Sequence, residues 1–164
     1  MQVPPEEERF AKNAAIMAEA IYTGMKKLND DGHNVDLNMI QLAIAVIKNF
    51  NPHDLIQGFI TNGHDTCWDK IRDRDETFFI ENVTTIFAPL PMDMVLIFKD
   101  LFLAVDKNNK PIVSNDLKQS IWKLFDAMVK IAIKYIHKHR KSNTAFFSQV
   151  QLHSHANKWQ VDLN

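Results

Sequence analysis

At 164 residues, 46% hydrophobic and 24% charged, the chain has the size and composition of one globular domain, which excludes an intrinsically disordered protein. Four glycines are too few for the tight turns of an all-β fold or for a glycine-rich phosphate loop. A net charge of −1 excludes a whole-molecule attraction to nucleic acid or anionic membrane, and a single cysteine, Cys67, excludes an internal disulfide and fits a reducing compartment.

Met1 to Arg9 is acidic, contains proline and lacks the apolar core of a secretory signal. A first amphipathic helix follows, with Phe10, Ala14, Met17, Ile21, Met25 and Leu28 at three- and four-residue steps. Pro4, Pro5 and Glu6 to Glu8 suit its first turn, where negative charge meets the positive end of the helix dipole. Asn29-Asp30-Asp31-Gly32 ends it. Asp36 then reads as the N-cap of a second helix, Leu37 to Phe50, and Asn51-Pro52 opens a third that closes at Asn62-Gly63.

A fourth segment around Cys67, Trp68 and Ile71 runs into a fifth carrying Phe78, Phe79, Val83, Ile86 and Phe87, with the charge run Asp69 to Glu76 at their join. Ala88-Pro89-Leu90-Pro91 breaks the chain there. The sixth helix, Met92 to Val105, is apolar nearly all round and is expected to be buried at the centre. The seventh, about Asn115 to Lys141, shows the widest apolar face, from Leu117 to Ile136, and is expected to share the centre with the sixth. The fold expected is all-α: a compact bundle of six or seven helices over residues 1–141, with a C-terminal tail, 142–164, in which Ser148 to Leu152 alternates as a short strand. No apolar stretch approaches the ~18 residues of a membrane span, and the expected location is the cytoplasm.

The loop Asp106 to Leu117 has an EF-hand outline, with Asp106 and Asn108 in the first and third ligand positions. Lys110 stands where an oxygen ligand belongs, Pro111 replaces the glycine and Leu117 the bidentate glutamate. We read it as a polar loop with Ser114 or Asn115 capping the next helix. His137 and His139 lie two apart, a spacing that points them different ways on a helix. His64, Cys67, His153 and His155 have zinc-ligand chemistry but no compact ligand signature, and Cys67 beside Trp68 reads more simply as packing. The acidic residues from Asp65 to Glu76 alternate with Lys70, Arg72 and Arg74, so ion pairing on a solvated face explains them. No catalytic residue, metal, cofactor or small-molecule substrate is expected. A hydrolase or metal protein built around His64 and Cys67 is the third-ranked reading.

From Asn115 to Lys141, seven basic residues stand against Asp116 and Asp126, a local charge of +5 that leaves −6 elsewhere. Lys123, Lys130, Lys134, Lys138 and Lys141 share one helical stripe, suited to phosphates or to an acidic partner. In the tail, Phe146, Phe147, Leu152 and Trp159 are costly to leave in water, so they pack on the bundle or insert into a partner. The leading reading is therefore a non-enzymatic interaction or assembly protein, acting through the tail and any helix face left apolar outside the bundle. A nucleic-acid-associated protein using the lysine stripe ranks second.

The pattern Phe59-Ile60 through Cys67-Trp68-Asp69-Lys70-Ile71, then Asp75-Glu76-Thr77-Phe78-Phe79-Ile80-Glu81-Asn82 to Ile86-Phe87, resembles uncharacterised helical proteins encoded by large nucleocytoplasmic DNA viruses. The resemblance implies a viral accessory or virion component, acting in host cytoplasm or in the particle. It implies no activity and no site residue.

Overall fold

Local signals set several of the helix ends. In the computed structural model, which describes residues 2–32, 34–64, 67–86, 92–139 and 149–164, α1 spans Glu6–Asp30 with three acids in its first turn. It ends where Gly32 takes a positive φ of 98°, a conformation a Cβ would oppose. α2 (Leu37–Asn49) starts where the Asp36 carboxylate accepts the Met39 amide at 3.1 Å. α3 (Pro52–Gly63) starts where Asn51 accepts two amides, those of His53 and Asp54. After α4 (Cys67–Arg72) and α5 (Glu76–Ile86) come α6 (Met92–Leu103) and α7 (Asn115–Lys138). Ser114, not Asn115, caps α7, accepting the Leu117 amide at 3.2 Å.

α7 is the axis of the bundle. Ile121, Phe125, Val129, Ala132, Ile133 and Ile136 are all buried, and α1 lies along it with α2 and α3 against α1. Phe79 of α5 meets Trp122 and Phe125 edge-on, while Phe59 of α3 bridges Phe10 of α1 and Trp68 of α4. Aromatic pairs of this geometry add about 0.5–1.5 kcal/mol beyond their buried area. The architecture is all-α as expected. Among the described residues it has no strand, only an isolated bridge between Val105 and Pro111, and no helix long and apolar enough to cross a membrane.

Three expectations need correction. α6 is not central: Val95 and Phe102 are buried, but Met92, Leu96 and Leu103 face outward. Uniform apolarity says that a helix can be buried, whereas how many neighbours surround it is a property of the fold. The tail is not a strand. Residues Gln149–Trp159 form an eighth helix, α8, in which Leu152, Ala156 and Trp159 recur at steps of four and three and pack on α7. Alternation would have placed Val150 and Leu152 on one face, yet Val150 is exposed and Leu152 buried. α7 itself ends at Lys138, with His139 as C-cap. The expected break at Ala88 to Pro91 lies outside the described residues.

Candidate interaction surface

The outer face of α6 is built by spacing alone. Met92, Leu96, Lys99 and Leu103 follow steps of four, three and four residues and so share one line along the helix. Met92 is 64% exposed, Leu96 37% and Leu103 52%; Val105, just past the helix, is also exposed. Beside this line, Asp100 and Ala104 turn toward the end of α1, where Met25 and Leu28 meet Val35 and Asp36 around a pocket of about 300 Å³. The pocket floor is apolar and its rim carries the two carboxylates. Isolated exposed apolar residues are ordinary, whereas these three share one helix face beside an apolar hollow.

The four aromatic and aliphatic tail residues divide. Leu152 is 2% exposed and Trp159 5%, both packed into the core, so their partner-binding assignment is corrected: they anchor α8 to its own bundle. Phe146 and Phe147 lie outside the described residues. Lys158 of α8 reaches Asp69 of α4 at 3.4 Å, and the His155 ring meets Trp68 edge-on at 5.0 Å.

Of the lysine stripe, Lys123, Lys130 and Lys134 are exposed on one face of α7, and Lys138 is exposed with its ammonium 3.3 Å from Glu6. Burial raises the Glu6 pKa, but a backbone hydrogen bond and Lys138 outweigh it and hold the carboxyl below its ordinary value. Lys141 lies outside the described residues.

Asp106 and Cys67 are engaged in structure. Asp106 accepts the amides of Asn108 and Lys110 at 2.8 and 3.0 Å, and Asn109 takes a left-handed φ of 64° between them. The carboxylate thus folds its own loop. Cys67 is buried, with Sγ donating to the Asn62 carbonyl at 3.8 Å. Among the described residues no group of three or more His, Cys, Asp or Glu is placed to hold a metal ion.

In the charge run, Asp69 faces Arg72 and Lys158, and Asp75 faces Lys70. Arg74, at φ 56°, clamps Asp126 of α7 through two hydrogen bonds of 2.7 and 2.5 Å, while Glu76 meets Lys118 at 3.0 Å. Pairing was expected within the run. The structure adds bonds that tie it to α7 and α8, a long-range fact that local alternation does not carry.

One polar cluster has no counterpart in the sequence reading. The buried Tyr135 hydroxyl shares a hydrogen bond with His53 Nδ1 and accepts another from Gln57 at 3.2 Å, and the His139 ring packs on Tyr135 at 4.4 Å. Burial pushes the Tyr135 pKa up. The i, i+4 spacing of His53 and Gln57 across the first turn of α3 is the only local signal, and Tyr135 itself reads as one more core residue. Compared with protein-family models, with curated proteins and with solved structures, the chain matches none of them.

Proposed function

We propose that the protein is a non-enzymatic interaction or assembly protein that docks another protein on the outer face of α6. The single observation behind this reading is the line Met92, Leu96 and Leu103, three of the exposed large apolar side chains of the described residues, brought together on one face of one helix. Covering a large apolar side chain is worth roughly 1.5–3 kcal/mol, so three in register supply the apolar centre of a modest interface. The adjoining pocket gives that partner somewhere to insert an apolar anchor, and the Asp36 and Asp100 rim favours a basic residue next to it. Support for a non-enzymatic role comes from the carboxylates of the charge run, which are engaged in pairs that hold α4, α5, α7 and α8 together. The viral resemblance would make this docking part of a virion or of an accessory complex in host cytoplasm.

The test is Leu96→Asp with Leu103→Asp in the full chain. Both positions are exposed, so the helical circular-dichroism signal should stay unchanged. Sedimentation of the wild type over a wide concentration range, and affinity capture by wild type and variant in parallel, should show an association that the variant loses. A wild type that stays monomeric and captures nothing the variant does not would overturn the reading.

A further inference from the structure

A second surface, independent of α6, lies along the outer face of α7. Lys123, Lys130 and Lys134 fall within about 40° of one another around the helix and extend over roughly 16 Å at 1.5 Å per residue. The lysines toward either end of the helix are engaged, Lys118 by Glu76 and Lys138 by Glu6. Among the described residues no carboxylate pairs with the three between them. Asp126, the one acid of α7 in this stretch, borders the row at i+3 from Lys123 and i−4 from Lys130, but its carboxylate is turned to Arg74 and neutralised by that two-bond clamp. The result is a straight cationic row, without a paired carboxylate among the described residues, on the central helix of the bundle.

We propose that this row binds the phosphodiester backbone of a nucleic acid, without reading its bases. The choice of a polyanion over an acidic protein follows from what the face lacks. A protein interface draws its energy from a desolvated apolar or aromatic centre. On the exposed side only Ala127 and the Arg74-bound Asp126 lie among these lysines, Leu124 and Ile131 at the margins of the row are half-buried against the core, and no exposed aromatic and no arginine of α7 stands in the row. Counterion release from a phosphate backbone needs neither. The absence of arginine also removes bidentate base reading, so binding is independent of sequence and weak, with Kd about 10⁻⁴ to 10⁻⁶ M.

Three phosphate contacts set a measurable salt dependence. With about 0.9 counterions released per contact on duplex DNA, log K should fall with log salt at a slope near −2.7, so binding weakens about 40-fold between 50 and 200 mM. On a single strand, at about 0.7 per contact, the slope is near −2. The experiment is fluorescence anisotropy of a labelled duplex of mixed sequence, and of one of its strands, titrated with the full chain. Lys130→Gln with Lys134→Gln should reduce the slope to about −1 and abolish binding at 200 mM, with the thermal midpoint unchanged because both positions are exposed. Lys26→Gln with Lys27→Gln, exposed on α1, makes the same change in net charge and should leave binding intact. The Leu96→Asp, Leu103→Asp variant should also bind, which separates this row from the α6 reading.

No binding at 50 mM salt overturns the proposal. So does equal sensitivity to the α1 control pair, which would mean that net charge and not the row is responsible. Polyglutamate binding as tightly, with the same slope, would point instead to an acidic polypeptide and would overturn it as well.

Discussion

Trp159→Ala tests the docking of α8. Trp159 is 5% exposed, and a buried tryptophan removes about 150–250 Å² from water, worth about 4–6 kcal/mol at 25 cal/mol per Å². Its indole Nε1 is buried without a hydrogen-bond partner among the described residues, a desolvation cost of about 1–3 kcal/mol that alanine removes. The net loss is about 1–5 kcal/mol. A second limit applies, because α8 packs chiefly on α7: once the docking free energy of α8 is lost, further substitutions there have nothing left to remove.

Leu152→Ala alone should cost about 2–5 kcal/mol, and the double variant should therefore cost less than the two singles combined. The assay is urea unfolding followed by circular dichroism, paired with amide exchange resolved at Gln149 to Trp159. Faster exchange confined to α8, with a smaller shift of the global midpoint, is the expected signature. Unchanged exchange and midpoint would refute the reasoning and return Trp159 to the role of a partner contact.

Other perturbations have equally definite outcomes. The Phe78 amide bonded to Asp75, aided by Lys70, holds the Asp75 carboxyl below its ordinary value. A depressed carboxyl contributes stability above its unfolded value and loses it as pH falls through the folded one, so the gap between wild type and Asp75→Ala should close below about pH 4; a gap constant from neutral pH to about 3 would count against this. Gly63→Ala would place a Cβ 3.2 Å from Nε1 of the fully buried Trp68, and overpacking there should cost about 1–3 kcal/mol in denaturant midpoint. Asn51→Ala removes the acceptor for two α3 amides and should cost about 1 kcal/mol by the same measurement.

Local chemistry made much of this protein legible from its residues. Asp36, Asn51-Pro52 and Ser114 mark helix starts because a cap satisfies amides only two or three residues away. The periodic apolar face of α7 announced the central helix because a stripe that wide must be covered. Lys123, Lys130 and Lys134 could be placed on one exposed face from 3.6-residue periodicity. Tertiary structure alone decided that α6, the most uniformly apolar helix, sits at the edge with Met92, Leu96 and Leu103 in water. It alone turned Leu152 and Trp159 inward, joined Arg74 to Asp126 across 52 residues of chain, and brought His53 to Tyr135 across 82. Periodicity fixes which side chains share a face; which face finds a neighbour depends on how the helices pack, and that is a property of the whole chain.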